Sequence, residues 1–155
     1  MLNPHYVTGF VDGEGCFAIT ISRIRFKVAE VRLKFEIELR EDDEPILKEI
    51  QKVLGCGSIY RLEYERYKKW RPHVKYMVGS FKDINEKVIP FFKQYPPQAK
   101  KKYQFELFCK VAKMMAEKKH STEEGIEEIR SLREALKMRK DSLDARDEHV
   151  QWGVE

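Results

Sequence analysis

Asp12 and Glu14 stand two residues apart in the run Val7-Thr8-Gly9-Phe10-Val11-Asp12-Gly13-Glu14-Gly15. The eight residues before Glu14 carry a helical pattern. Tyr6/Phe10, Val7/Val11 and Gly9/Gly13 are i,i+4 pairs, which share a helix face. Asn3 and Pro4 suit a helix start, and Gly13 and Gly15 suit its stop. Both carboxylates therefore fall at a helix C-terminus, where the dipole already concentrates negative charge. Such a place suits a divalent cation, and hard oxygen donors with partial hydration favour Mg²⁺. Gly9 and Gly13, one turn apart, would let a second helix approach backbone to backbone. Taken alone, the same residues also fit a solvated turn and ordinary helix–sheet packing.

The elements that must position this segment follow along the chain. Residues 16–25 alternate, with Phe17, Ile19 and Ile21 on one side and Ala18, Thr20 and Ser22 on the other. Cys16 reads as a small buried residue at the start of that strand. Residues 28–40 alternate more clearly: Val31, Leu33, Phe35, Ile37 and Leu39 face a core, and Arg32, Lys34, Glu36, Glu38 and Arg40 face out. Asp42 or Asp43 caps a helix with the apolar stripe Ile46, Leu47, Ile50, Val53 and Leu54, stopped by Gly55. A second hairpin spans 58–66 and 72–80, with Val74, Tyr76 and Val78 alternating against His73, Lys75 and Met77. Asp83 opens a short helix that Pro96 and Pro97 break. A long helix covers 98–119, and Ser121 or Thr122 caps a last helix that ends near Lys140. This order predicts one α+β domain over residues 1–140, with C-terminal helices from about residue 98 and a flexible acidic tail over 141–155. Its antiparallel sheet would have helices on one face and an open, charged face on the other.

Composition narrows the function classes. The chain has 155 residues and a net charge of +4, but the charge is uneven. Residues 121–155 hold ten acids and six bases, a net of −4, which leaves +8 on residues 1–120. A basic body favours a polyanionic partner, nucleic acid above all. No run of ~18 apolar residues exists, which argues against a membrane partner. The N-terminus MLNPHYVTGF has no basic region followed by an apolar run. Cys16, Cys56 and Cys109 are widely spaced without a CxxC pattern, so a reducing intracellular compartment is the expected setting.

The Val7–Gly15 segment resembles the signature of the LAGLIDADG homing endonucleases, with Val7 and Thr8 at the first two places. The likeness extends through F-x-I-x-x-x-x-D-D-x-x-I-L at residues 35–47 and the lysine-rich stretch leading into QFELF at residues 104–108. It covers roughly residues 5–120. The resemblance implies an αββαββα fold whose four-stranded antiparallel sheet forms a DNA-binding saddle. It implies an intron- or intein-encoded endonuclease that breaks both strands of a long, roughly palindromic target by metal-dependent hydrolysis. A single signature copy implies a homodimer, with Tyr6, Val7, Gly9, Phe10 and Gly13 at the interface. Glu14 matches the catalytic acid and, with Gly13, the metal site for Mg²⁺ or Mn²⁺, while Asp12 matches a structural acid at the turn. The family's assisting lysine falls on Lys100 or Lys101. Polar groups that order water in relatives have no clear counterpart among Glu38, Leu39, Arg40 and Asp43.

Strand parity then assigns the double-stranded DNA face. Thr20, Ser22, Arg32, Lys34, Glu36, Glu38, Arg40, Tyr60, His73 and Lys75 would meet base edges. Arg23, Arg25, Lys27, Arg66, Lys68, Lys69 and Arg71, in hairpin tips or flanks, would hold phosphates. No small-molecule substrate is expected. The resemblance leaves open an RNA-splicing maturase or a non-cleaving DNA-binding protein on the same fold. It also leaves open the compartment, a prokaryotic cytoplasm or an organelle.

Overall fold

The computed structural model of the chain describes residues 1–23, 29–63 and 71–147. Helix α1 (Pro4–Glu14) starts where Asn3 turns its side chain back to accept the His5 amide at 2.8 Å. It runs directly into strand β1 (Gly15–Arg23). Strand β2 (Ala29–Arg40) pairs antiparallel with β1. A 3₁₀ turn over Glu41–Asp43 leads into α2 (Glu44–Leu54), which Gly55 ends at φ 72°. That left-handed conformation is open to glycine at little cost. Strands β3 (Ser58–Leu62) and β4 (His73–Val78) form the second hairpin. The sheet order is β1-β2-β4-β3, so β2 and β4 are central.

A helical run follows as α3 (Phe81–Asp83), a π-helical turn (Ile84–Val88) and α4 (Ile89–Gln94). Pro90 explains the wide turn. It has no amide to bond four residues back, and the Ile89 amide bonds five residues back to Ile84. Helices α5 (Lys101–Ala116) and α6 (Glu123–Asp147) complete the domain, with a 3₁₀ turn over Lys119–Ser121 between them.

The core lies between the sheet and the helices. Val31, Leu33, Phe35, Ile37 and Leu39 of β2 are all buried, as are Val74, Tyr76 and Val78 of β4, which matches the alternation. Phe17 sits at the hub, with ring centroids 5.2 Å from Phe35, 5.3 Å from Phe92, 5.1 Å from Phe105 and 5.3 Å from Phe108. Each such ring contributes roughly 1.5–3 kcal/mol by burial, and the cluster locks β1 to α4 and α5.

Four expectations change. Asp43 precedes α2 but makes no capping hydrogen bond, because the 3₁₀ turn has already fixed the chain's entry. The run predicted from Asp83 begins at Phe81, where Ser80 accepts the Asp83 amide at 3.4 Å. Gly15 is extended at φ −83°, not left-handed. It is required by space: a Cβ there would lie 2.7 Å from Val11 Cγ1 and 3.0 Å from the Val11 carbonyl oxygen. Helix α6 continues to Asp147, past the predicted end at Lys140. Part of the supposed tail is therefore helix, since no glycine or proline interrupts residues 126–147.

Candidate active site and nucleic-acid interface

The two acids at the end of α1 make different contacts. Asp12 turns back to the loop before α5 and accepts the Gln98 amide at 2.8 Å and the Ala99 amide at 3.3 Å. These bonds tie α1 to the start of α5. Glu14 is exposed and, among the described residues, makes no hydrogen bond or ion pair. Lys101, half-buried, donates from Nζ to the Val11 carbonyl at 3.1 Å. The Gly15 amide donates to the same carbonyl. A cation thus sits on the negative end of the α1 dipole, one turn before Glu14. Lys100 is exposed at the same helix start. The Lys101 contact with the Val11 carbonyl is one that the run of three lysines did not reveal.

Thr8 was not singled out from sequence. It is buried, and its hydroxyl donates to the Tyr95 carbonyl at 2.7 Å. Asp12 and Thr8 therefore tie α1 to the segments on either side of Pro96 and Pro97. A buried threonine inside an apolar helix face was the available signal.

The outer stripe of α1 is Tyr6, Gly9, Phe10 and Gly13. Tyr6 is 51% exposed, and a Cβ built at Gly9 or Gly13 meets nothing within 4 Å. Val7 does not belong to this stripe. It is 0% exposed, packed in the domain's own core with Val11. Helical spacing had placed both stripes on one helix, and burial decides between them.

The open sheet face is mostly polar, with Ala18, Met77 and Leu62 set among its polar residues. Across β1 and β2 the neighbours are Cys16/Glu36, Ala18/Lys34, Thr20/Arg32 and Ser22/Glu30. Across β2 and β4 they are Glu36/Met77, Glu38/Lys75 and Arg40/His73, and across β4 and β3 Met77/Ser58, Lys75/Tyr60 and His73/Leu62. Thr20, Ser22, Arg32, Lys34, Glu36, Glu38, Arg40, Tyr60, His73 and Lys75 accordingly share one face, in the predicted register. Cys16 lies on that face and is exposed; it is not the buried residue expected. Its place is fixed by pairing with Glu36, and partial burial and the Glu36 carboxylate together raise its thiol pKa. Met77 of β4 joins the face as its alternation predicted, and Ser58 and Leu62 join it by register; these two were missed because β3 is too short to show alternation.

The charges on this face are internally ordered. Lys75 lies 3.8 Å from both Glu36 and Glu38, and His73 Nδ1 lies 3.2 Å from Glu38. Arg32 pairs with Glu30 at 2.9 Å, while Arg40 and Arg71 approach Asp42 at 3.5 and 4.0 Å. The side chain of Arg23, and all of Arg25, Lys27, Arg66, Lys68 and Lys69, lie outside the described residues.

The family model for LAGLIDADG endonuclease matches residues 7–112. The chain belongs to the LAGLIDADG endonuclease family. Among curated relatives, "Probable intron-encoded endonuclease 2" of Neurospora crassa is 33% identical over 138 residues, 87% of this chain and 29% of the relative. Among solved structures, the meganuclease I-SmaMI bound to uncleaveable DNA superposes with TM-score 0.75 at 34% identity, covering 84% of this chain and 43% of that one. I-SmaMI has also been solved on an uncleaved DNA target in the presence of calcium ions, with TM-score 0.74 at 32% identity, covering 84% and 43% of the two chains. This LAGLIDADG chain thus spans under a third of that relative and under half of the solved protein.

Among the described residues, no cluster of three or more His, Cys, Asp or Glu side chains can hold a metal ion, and no helix is long and apolar enough to cross a membrane.

Proposed function

We propose that this chain supplies one half of a site-specific DNA endonuclease that breaks both strands of its target by metal-dependent phosphodiester hydrolysis. The observation that carries the reading is the division of labour at the end of α1. Asp12 is consumed by two backbone amides, whereas Glu14 stands exposed three residues after the carbonyl that Lys101 holds.

The residues present fit a hard divalent cation, Mg²⁺ or Mn²⁺. Glu14 offers a carboxylate, and the Gly13 carbonyl lies in the last helical turn, where carbonyls lack intrahelical partners. One copy of the fold brings only one such carboxylate, so phosphate oxygens and a second copy complete the ligand set. When bound, the ion would supply a more acidic water and a polarised phosphate.

The chain's own residues do the rest. Lys101, held at the Val11 carbonyl, places a fixed positive charge near the phosphate that is cut. Asp12 keeps α5 and its lysines in register with α1. The Tyr6, Gly9, Phe10 and Gly13 stripe packs against the same stripe of a second copy, backbone close to backbone, and brings two Glu14 side chains together. That copy is a second chain in a homodimer. A two-fold pairing fits a roughly palindromic double-stranded DNA site. The polar sheet face enters the major groove, where Arg32, Lys34 and Lys75 suit guanine edges and Glu36 and Glu38 suit cytosine amino groups. The glutamates also repel phosphates, which disfavours a sequence-blind clamp. Three free cysteines support a reducing intracellular setting.

The test is selection of cleaved sites from a random double-stranded DNA library with Mg²⁺. Recovery of one long, roughly symmetric site supports the reading. Preference for intron RNA over DNA, with no nicking of DNA under any divalent metal, would replace it with a maturase.

A further inference from the structure

A groove of about 760 Å³ runs between the edge strand β1, the start of α5 and the middle of α6. Five bases line it: Lys100 and Lys101 from α5, and Arg133, Lys137 and Arg139 from α6. The one acid among its described lining residues, Asp12, already has both oxygens engaged by the Gln98 and Ala99 amides. The floor is apolar, with Ile19, Leu107 and Leu136. The Arg139 guanidinium lies 3.8 Å above the centre of the Tyr103 ring, which orders that side chain at the rim. Gln104 also lines the groove, and its Oε1 is buried without a hydrogen-bond partner.

The net charge of −4 over residues 121–155 conceals this surface. Within that stretch, residues 129–140 hold five bases and one acid. Arg133 and Lys137 are i,i+4 neighbours on one helix face, and both are exposed. Arg133, Lys137 and Arg139 lie before the last turn of α6, so the helix dipole, which acts within that turn, does not account for them. Arg130 is on the same helix, is absent from the groove and pairs with Glu127 at 3.9 Å.

The groove joins the proposed DNA surface at two points. Ala18 lines it, and Ala18 sits on the open sheet face opposite Lys34. Asp12 lines it, two residues before Glu14. A duplex seated on the sheet with a cut phosphate at Glu14 therefore passes the mouth of the groove.

We propose that this groove is a second DNA-contact surface, in which Arg133 and Lys137 of α6 hold backbone phosphates beside the cut site without reading base sequence. This rests on the endonuclease reading and adds a helix that the sheet-centred interface leaves out. Charge complementarity and continuity with Glu14 favour DNA over another occupant.

The test compares full-length wild type with Arg133→Glu/Lys137→Glu and with Arg130→Glu as a same-helix control. Binding to a labelled duplex carrying the selected site, and to a scrambled duplex, is measured by anisotropy in EDTA from 50 to 300 mM salt. Each phosphate contact contributes about 0.9 to the slope of log K against log salt. The double variant is expected to lose about 1.8 of slope per copy, which corresponds to roughly 30-fold in affinity near 0.15 M salt. The loss should be equal on both duplexes, as for phosphate contacts, and thermal melts of the variants should match wild type. Arg130→Glu should leave the slope nearly unchanged.

An unaltered slope in the double variant, an equal loss in Arg130→Glu, or a loss confined to the selected site would each overturn the proposal. So would a change in the mass of the DNA-free protein caused by the double variant, since the groove would then seat a second copy. If wild type cuts its site and the slope does not move, only the groove fails. If wild type neither cuts nor binds any duplex at 50 mM salt, the endonuclease reading fails with it.

Discussion

Replacing each of the two α1 acids should give opposite phenotypes, though they are two residues apart. Asp12→Ala removes the acceptor for the Gln98 amide at 2.8 Å and the Ala99 amide at 3.3 Å. Hydrogen bonds to a charged group contribute about 1.5–3 kcal/mol each. Asp12 is only half-buried, and water can replace part of the loss, so a total of about 2 kcal/mol is reasonable. For a chain of this size that lowers Tm by about 4–8 °C. Glu14→Gln removes no contact with a described residue and relieves a negative charge at a helix C-terminus. Its stability should stay within about 0.5 kcal/mol of wild type, or rise slightly. Cleavage should behave the other way: Glu14→Gln binds the selected duplex with near wild-type affinity and does not cut it. The assay pairs thermal melts of the DNA-free chain with binding and single-turnover cleavage in Mg²⁺. A Glu14→Gln protein that melts as low as Asp12→Ala, or still cuts, would refute the division of roles; so would an Asp12→Ala protein with unchanged Tm.

Three further outcomes follow from the same geometry. Gly9→Leu should fold normally, with up to about 1 kcal/mol of added helix stability, because nothing lies within 4 Å of its Cβ; sedimentation on DNA should nevertheless show loss of the paired species, and cleavage should fall with it. Lys101→Met should slow single-turnover cleavage by about a hundredfold, the scale of a positioned catalytic group, with Lys100→Met having a smaller effect; the reverse order would move the role to Lys100. Burial pushes the Cys109 thiol up to about 11, so the neutral thiol dominates at pH 8. Its alkylation rate should therefore keep rising with pH until about 11 and should lag that of an unfolded control; a rate already level by pH 9 would contradict that burial.

The sheet was legible because one face is dry and the other wet. Five core residues at every second position of β2 leave one register in which all are buried, and the register observed places the polar set together. The α1 helix was legible as a helix but not in azimuth. Tyr6/Phe10 and Val7/Val11 have the same spacing, and only the packed core shows that Val7 faces inward. The lysine run at 100–102 hid a contact for the same reason: three equal side chains in a row do not show that Lys101 reaches the Val11 carbonyl. The groove on α6 was hidden by averaging charge over a whole segment, since a helix separates opposite charges by face and by turn. Helix ends were least legible. Ser80, not Asp83, caps the run before α4, and Pro90 made a π-helical turn within it instead of a break.

In the proposed complex two copies of α1 meet and present a Glu14 each to the cut phosphates. A crystal structure of the chain on its selected DNA with Mn²⁺, with an anomalous difference map, tests it most directly. Two copies of the fold are expected, with the Gly9 and Gly13 stripes in contact and manganese peaks between both Glu14 carboxylates and the scissile phosphates. A single copy on the DNA, or manganese bound away from Glu14, would contradict it.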